Sequence, residues 1–461
     1  MPRNVIDDAP MSSFHWRVSL LSAGGPFLDG WVLSIIGIVL IQAEPALDMS
    51  SLDVALTGSM ALAGMLVGGF FGGYLCDRLG RKTTYTIDLV AFLVCSVLSA
   101  MVTDAWQLIT LRFIVGMAVG ADYPIAASLL AEFVPRRRRG ALLASLVTAW
   151  FVGSTVSYAI GYWLAGFGDS SWRWMLFSAA VPALVIVLLR TSIPESPRWL
   201  LSRGRRKEAE EVLKRVFGPQ ASVDDMDEPA ASASIGRVLR RNGYSGRILF
   251  VIAFQTAQIV PLYAIYAYLP RMLEDFGFSG DDISYVGGIL SSIVILIGAI
   301  AGSLVMDRWG RRPVLILPFI PMVGALLLLG VAPNSATAAI VVGLGVYCLF
   351  SGITGLLVWP YPGELFPTEV RSTAIGLITA ITRIGAAGGT FLAPLSMSGL
   401  GIHITMIIGA GITAAGLVVS IIWAPETKGR SLAETSAPGA LRQRPETDQG
   451  TAIVSAGDPA P

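Results

Sequence analysis

Asp77-Arg78-Leu79-Gly80-Arg81-Lys82 is repeated 230 positions later as Asp307-Arg308-Trp309-Gly310-Arg311-Arg312. Each copy follows a long apolar run and begins with the same acidic and basic residues around a central glycine. A repeated charged turn at the end of a repeated apolar segment is typical of a chain with two related halves. The duplication therefore decides the fold more than any single segment does.

Two other pairs of motifs recur with almost the same offset. Glu132, Pro135 and Arg139 correspond to Glu364, Pro367 and Arg371, and the first residues of the two sets lie 232 positions apart. The sequence P-E-S-P-R at residues 194–198 corresponds to P-E-T-K-G at residues 425–429, with the glutamates 231 positions apart. Three pairs with one spacing predict two homologous halves of the chain.

The apolar content of the chain indicates a membrane protein. Hydrophobic residues make up 54% and charged residues 14% of the 461 positions, and the mean hydropathy is +0.66. A membrane-crossing helix needs about 20 apolar residues. The apolar runs predict twelve spans, near residues 17–41, 54–76, 83–102, 106–133, 141–166, 172–191, 247–271, 283–306, 313–332, 336–362, 372–396 and 401–424.

These spans divide the chain into four parts. We expect an N-terminal six-helix bundle over residues 1–191, a cytoplasmic linker over 192–246, a C-terminal six-helix bundle over 247–424 and a disordered cytoplasmic tail over 425–461. In the linker, Leu201, Val212, Leu213 and Val216 are spaced as on one face of an amphipathic helix.

The basic residues predict the orientation in the membrane. Arginines and lysines gather in the repeated turns, the linker and the loops after spans 4, 10 and 12, which places these segments in the cytoplasm by the positive-inside rule. Both termini are then cytoplasmic, in an inner or plasma membrane. The start of the chain has no small-residue cleavage site, so we expect no removed signal peptide.

Several classes of protein are not favoured by the composition. The net charge of +1 suggests no nucleic-acid partner, and Cys76, Cys95 and Cys348 have no metal-binding spacing. With two histidines, no phosphate-binding glycine loop and no nucleophile motif, we expect no enzyme. A cofactor is not expected either, and the proton is the candidate coupling ion.

The six motifs together resemble the sugar-porter branch of the major facilitator superfamily. The resemblance covers nearly the whole chain and implies an all-α membrane fold of 12 transmembrane helices in two pseudo-symmetric six-helix bundles. It also implies alternating access to a site between the bundles and function as a monomer. In that family the motifs hold the cytoplasmic side closed. The matching candidates for a cytoplasmic gate are Asp77, Arg78, Arg81, Glu132, Arg139, Glu195, Asp307, Arg308, Arg311, Glu364, Arg371 and Glu426.

Ionisable residues inside predicted spans are the candidates for proton coupling, because an unpaired charge there is costly. Asp29 in span 1 and Asp122 in span 4 lie near the membrane centre, and a buried carboxylate readily takes up a proton. An aspartate in span 1 and Arg112 in R-x-x-x-G-x-x-x-G match a pair that works together in proton-linked sugar porters. Alternatively, Asp29 and Arg112 form a static ion bridge. Asp88 is a further candidate in span 3.

The substrate-binding candidates are Arg383, Gln258, Tyr263, Trp359 and Tyr123. Arg383 suits a carboxylate or phosphate, or pairs with an aspartate across the cavity. The glutamine-rich motif of sugar porters is reduced in span 7 to Gln258, so we favour proton symport of an organic anion. A sugar or polyol symporter, a proton-antiport exporter of drugs or metabolites, and a receptor without transport are the alternatives.

Overall fold

The computed structural model describes residues 9–190, 192–225, 244–278, 281–358, 360–366 and 368–428. Within these ranges the chain is helical, with short connections and no strand. Twelve of the helical segments are long and apolar enough to cross a membrane. The predicted all-α fold with twelve spans is confirmed.

The first six spans are built from seven helices. Spans 1 to 5 are single helices, and span 6 consists of two helices that meet at Ala179. The bounds of these helices are Ser13–Ala46, Ser51–Leu79, Arg81–Ser99, Ala105–Phe133, Arg136–Ala165, Ser171–Ser178 and Ala180–Arg190. We refer to these spans as the N half.

The last six spans, the C half, follow the same order. Span 10 is interrupted by a 3-10 turn, Leu356–Val358, before a short helix that begins at Pro360. Such a break fits a proline, which has no N–H to continue the helix. The helices are Tyr244–Asp275, Asp281–Trp309, Arg311–Val331, Thr337–Gly355, Pro360–Leu365, Thr368–Leu400 and Ile402–Trp423.

Between the halves lie two amphipathic helices, Pro197–Ser202 and Arg206–Phe217, and a 3-10 turn, Val223–Asp225. Trp199, Leu200 and Leu213 are buried in a small apolar cluster between these helices. The rest of the predicted linker, 226–243, and residues 429–461 of the predicted tail, 425–461, lie outside the described residues. The predicted division of the chain into domains stays a prediction.

Glycines set the closest helix contacts inside each half. A Cβ on Gly64 or Gly68 of span 2 would overlap carbonyl oxygens of Phe113 or Met117 in span 4. Gly298 of span 8 lies in the same way against a carbonyl of span 10. Small residues allow such backbone contact between membrane helices. The glycine pattern that precedes each charged turn therefore packs each half together, and it does not form the surface between the halves.

Among the described residues, the halves meet mainly through three pairs of spans: 1 with 7, 2 with 11 and 5 with 8. Spans 2 and 8 are equivalent in the two halves, and so are spans 5 and 11. The interface thus keeps the symmetry of the repeat.

We call the end that carries the turns 78–82 and 308–312 the motif face, and the opposite end the far face. A site between the halves is positioned mainly by spans 1, 5, 7 and 11.

Gly68→Leu should lower the stability of the folded carrier by about 2 kcal/mol, because a side chain there forces spans 2 and 4 apart. Thermal unfolding of the purified protein in detergent measures the change. Gly411→Leu is the matched control, since a Cβ at Gly411 meets nothing within 4 Å. Equal losses in both variants would contradict the packing role of the span 2 glycines.

Candidate functional site

The motif face of the N half is organised around the carboxylate of Glu195. Its oxygens accept hydrogen bonds from the backbone N–H groups of Arg81, at 3.0 Å, and Lys82, at 3.2 Å. These N–H groups belong to the first turn of span 3, where the helix itself supplies no acceptor and a negative charge is favourable. Gly80 has a φ of +99°, and a Cβ there would overlap the Glu195 carboxylate. The turn therefore requires both the glycine and the glutamate.

A second carboxylate completes this network. Glu132, at the end of span 4, lies 3.4 Å from the guanidinium of Arg81 and accepts a hydrogen bond from the Ser196 hydroxyl. Glu132 is 9% exposed, so its charge depends on these partners and on Arg198 nearby. One arginine thus connects the start of span 3 with the end of span 4, and Ser196 connects both to the segment after span 6.

The C half repeats this arrangement residue by residue. Glu426 accepts from the backbone N–H groups of Arg311, at 3.0 Å, and Arg312, at 3.2 Å. The Arg311 guanidinium is 2.8 Å from Glu364, which also accepts from the Thr427 hydroxyl. Gly310 has a φ of +96° and lies against Glu426. The sequence repeat is therefore a repeat of one hydrogen-bonded unit.

These contacts each lie within one half. We expected the motif charges to hold the halves together, but Arg81 pairs with Glu132, and Arg311 with Glu364, inside their own bundles. Arg78 donates to Tyr74, and the Arg308 carbonyl accepts from Lys428. The side chains of the predicted gate residues Asp77, Arg139, Asp307 and Arg371 lie outside the described ones. The described part of the motifs makes each half rigid.

At the centre, Arg383 of span 11 projects between the halves. Its guanidinium donates to the Tyr263 hydroxyl at 2.7 Å and lies 5.5 Å from the centre of that ring. Asp29 of span 1, which is 3% exposed, is within electrostatic range of Arg383. The sequence placed these residues in spans of different halves, and the structure brings them to one place.

Aromatic side chains and one amide surround this place. Trp150 of span 5 contacts the rings of Tyr263 and Tyr266 edge to face, with centroid separations of 6.2 and 5.4 Å. Gln258 is buried beside Gly355, and neither polar atom of its amide has a hydrogen-bond partner among the described residues. A buried amide without partners is costly. The amide donor and acceptor of Gln258 are therefore available to a polar solute.

Two predicted pocket residues cannot be placed. Trp359 is outside the described residues, as is the side chain of Tyr123. Trp150 was not predicted, because a tryptophan within an apolar span resembles ordinary packing.

Arg112 does not form the ion bridge with Asp29 that was one of the alternatives. Its guanidinium donates to the backbone carbonyls of Val32, at 2.7 Å, and Thr57, at 3.4 Å. These bonds connect span 4 to spans 1 and 2 at a point nearer the far face. Arg112 therefore lies at a helix junction, and the predicted coupling pair is not in contact here.

Asp122 lies in a second group of charges inside the N half. A Cβ on Gly25 would overlap its carboxylate, so the aspartate packs directly on span 1. Tyr85 and Asp88 of span 3 adjoin it, and Arg190 of span 6 lies 3.5 Å above the Tyr85 ring. Sequence reasoning missed Tyr85 and Arg190. Arg190 stands at the end of an apolar span, where a basic residue is expected from the positive-inside rule alone.

The halves also meet near the far face. Arg271 at the end of span 7 lies 3.1 Å from Glu44 at the end of span 1. Below this pair, Tyr268 donates to the Val54 carbonyl at 3.3 Å, and Tyr158 donates to the Tyr266 carbonyl at 2.8 Å. These contacts join spans 1, 2 and 5 to span 7. The centre is thus closed toward the far face.

A cavity of about 320 Å³ lies elsewhere, between the linker helices and the start of span 3. Its walls include Lys82, Glu195, Trp199 and Arg205. It is open and polar, and it is separate from the central group of Asp29, Tyr263 and Arg383. We therefore base the candidate site on the central group.

Known proteins similar to this chain are membrane carriers. The family model described as sugar (and other) transporter matches residues 18–437. YaaU of Escherichia coli K12, a putative metabolite transport protein, is 40% identical over 435 residues, which cover 94% of this chain and 97% of YaaU. The D-xylose-proton symporter of the same strain is 26% identical, over 92% of this chain and 96% of the symporter.

A solved structure shows the same fold. The partially occluded inward open conformation of the xylose transporter XylE from E. coli superposes with a TM-score of 0.79 at 22% identity. The match covers 91% of this chain and 100% of that chain. The two-bundle arrangement of twelve helices is therefore shared with a solved carrier.

Gly80→Ala should destabilise the protein more than Gly218→Ala does. Both glycines have a φ near +100°, but a Cβ meets the Glu195 carboxylate at Gly80 and nothing within 4 Å at Gly218. Both glycines combine a positive φ with an extended ψ, which costs about 1–3 kcal/mol for a residue with a side chain in both variants, and displacement of the carboxylate adds about 1–3 kcal/mol at Gly80 only. Thermal unfolding in detergent gives the comparison. Equal losses would contradict the Glu195 network.

Glu44→Gln should favour opening of the far face. Half-exposed ion pairs contribute up to about 1 kcal/mol, so the labelling rate of a thiol introduced by Val54→Cys should rise up to about fivefold. Maleimide labelling followed by mass spectrometry measures this rate. Asp48→Asn, at an exposed carboxylate four residues away, is the control and should leave the rate unchanged. Unchanged labelling in Glu44→Gln would contradict a gate at this pair.

Proposed function

The chain belongs to the sugar (and other) transporter family of multi-pass membrane carriers, and on that premise we propose that it couples proton entry to the uptake of a small organic anion. The guanidinium of Arg383 carries this proposal. It is a permanent positive charge between the two halves, held by Tyr263 and facing a carboxylate of the opposite half. No protein anion lies within ion-pair distance of it among the described side chains, so a solute carboxylate has a partner there.

The proposal includes the orientation in the membrane, the oligomeric state and the absence of a cofactor. The arginines and lysines of the motif face support an orientation with that face, and both termini, in the cytoplasm of a cell with a plasma or inner membrane. The closed far face is then the outside, and the described state faces inward. We propose that the carrier works as a monomer by rocking of the two halves, without a cofactor.

Coupling follows from competition for Arg383. While the site is empty, Arg383 offsets the charge of Asp29 across the interface. A bound carboxylate takes over the guanidinium, and Asp29 is left as a buried charge without compensation. Taking up a proton costs less than keeping that charge in the membrane interior. Solute and proton therefore bind together and leave together.

The aromatic walls set the size and shape of the solute. Trp150, Tyr263 and Tyr266 provide flat apolar surfaces next to the cationic group. Gln258 adds one donor and one acceptor on the span 10 side. These features favour a small carboxylate with a flat or short carbon skeleton and one further polar group.

A sugar or polyol is the second candidate, and Gln258 is the observation that favours it. An amide with free donor and acceptor groups suits hydroxyls as well as a carboxylate. The relative that carries D-xylose with a proton lends weight to this reading. In that case Arg383 acts only as the counter-charge of Asp29, and the solute carries no charge.

Proteoliposomes in a weakly buffered medium with a pH-sensitive dye distinguish the anion proposal from the sugar alternative. We expect benzoate or lactate to cause alkalinisation outside, and D-xylose to cause none. Asp29→Asn should abolish the proton signal while benzoate counterflow continues, because exchange needs no net proton movement. Asp48→Asn is the matched control and should behave as the native protein. A response to D-xylose only would overturn the anion proposal, and solute uptake without a proton signal would overturn the coupling.

Arg383→Gln should abolish binding of benzoate or lactate, since the carboxylate loses the permanent counter-charge that Arg383 supplies in the centre. Scintillation proximity binding with labelled benzoate gives the affinity. A loss of about 100-fold or more corresponds to a buried charged hydrogen bond. Arg17→Gln, at an exposed arginine of the same charge, is the control. Anion affinity within about threefold of native in Arg383→Gln would contradict the proposed role.

A further inference from the structure

A group of charged side chains is buried inside the N half, apart from the solute site. Asp88 is 5% exposed, Asp122 is fully buried and Arg190 is 2% exposed. They come from spans 3, 4 and 6, and Tyr85 of span 3 lies among them. Four polar groups from three helices converge at this place in the bundle. Such a concentration is costly unless it has a use.

Pro26 leaves a backbone carbonyl of span 1 without its helical partner close to this group. Because proline has no N–H, the carbonyl of Ser22 lacks its usual partner one turn later in the helix. The Tyr85 hydroxyl lies 3.3 Å from that carbonyl and accepts a hydrogen bond from the Gly25 N–H at 2.9 Å. Next to it, Gly25 has no side chain, and the Asp122 carboxylate fills the space. The Gly24-Gly25-Pro26 segment therefore connects the group to the helix of Asp29.

The two aspartates of the group interact with each other. The carboxyls of Asp88 and Asp122 are direct electrostatic neighbours, yet none of their four oxygens makes a hydrogen bond of regular geometry to a described residue. Arg190 stacks on the Tyr85 ring, and its three guanidinium nitrogens also lack such bonds. It acts on Asp122 and Asp88 through space. One cation thus serves two carboxyls.

The charge balance requires a proton. Arg383 is the cation that acts on Asp29 through space, and Arg190 is the cation that acts on Asp88 and Asp122. If both aspartates were ionised, an uncompensated charge would remain in a dry interior. Two close carboxyls avoid this by holding one proton between them.

The positions along the helices form a path. Arg190 is the last residue of span 6 at the motif face, where Glu195 also acts on it. Asp88 is seven residues into span 3, roughly 10 Å from that face, and Asp29 is sixteen residues into span 1, roughly 24 Å from its start. Asp122 lies between them, against span 1. The group therefore connects the centre with the motif face.

We propose that Asp88 and Asp122 form a proton-holding carboxyl pair, with Arg190 as its counter-charge and Tyr85 as its positioning residue, separate from the solute site at Arg383. The pair receives the proton that leaves Asp29 and passes it toward the motif face. This transfer rests on the proposed proton coupling; the shared proton itself does not. The charged or titratable groups that face the pair are Asp29, Tyr85, Arg190 and, through Arg190, Glu195.

Infrared spectroscopy of the purified carrier tests the pair without any solute. A protonated buried carboxyl has its own C=O stretching band, which shifts in D₂O. We expect the native protein to show this band at neutral pH. Asp88→Asn and Asp122→Asn should each abolish it, because Arg190 then keeps the remaining aspartate ionised. Asp29→Asn and the control Asp48→Asn should retain it.

Arg190→Gln gives an independent check that removes neither aspartate. Without its counter-charge the pair should hold a second proton, so the band should increase about twofold. Absence of the band in the native protein at neutral pH would overturn the proposal, even if the variants fail to fold. A native band that survives both Asp88→Asn and Asp122→Asn would also overturn it. If the band behaves as expected while no solute moves protons, the proposed function fails and the carboxyl pair stands.

Discussion

A carboxylate in the membrane interior needs a counter-charge or a proton, and the centre of this protein is arranged around that requirement. Asp29 faces Arg383 of the other half, and Asp88 and Asp122 share Arg190. Two arginines, Arg383 and Arg190, thus face three carboxyls. In the proposed mechanism, an anion that binds Arg383 therefore changes the number of bound protons. The proposed coupling is a consequence of this balance and needs no special catalytic group.

The charged turns of the motif face serve a different purpose. Each joins the start of one span, the end of another and the segment that follows a third through one glutamate and one arginine. Glycines bring spans 2 and 4, and spans 8 and 10, into backbone contact. Both devices make each half rigid. Other contacts join the halves, such as the partly exposed pair of Glu44 with Arg271 and the buried hydrogen bond of Tyr268 to the Val54 carbonyl.

The sequence predicted the architecture well because its signals are local and repeated. Twelve apolar runs and three pairs of motifs determine the fold without knowledge of contacts. Partners across helices were harder to predict. The resemblance to proton-linked sugar porters paired Arg112 with Asp29, but in the structure Arg112 bonds to backbone carbonyls. Arg190 was missed because a basic residue at the end of a span has an ordinary explanation, and only the folded chain shows that it is buried over Tyr85.

In the proposed mechanism, the two rigid halves rock relative to each other, and the charge of Asp29 controls this motion. Spin labels at the repeat-equivalent exposed positions Leu79 and Trp309 report on the motif face, and labels at Met101 and Val331 report on the far face.

Electron–electron distance measurements on both label pairs, at high and low pH, test this claim most directly. The account predicts opposite changes in the two distances with pH in the native protein and no pH response in Asp29→Asn. A label pair within one half, Leu79 with Met101, should keep its distance. A pH response that persists in Asp29→Asn, or a change within one half, would contradict the account.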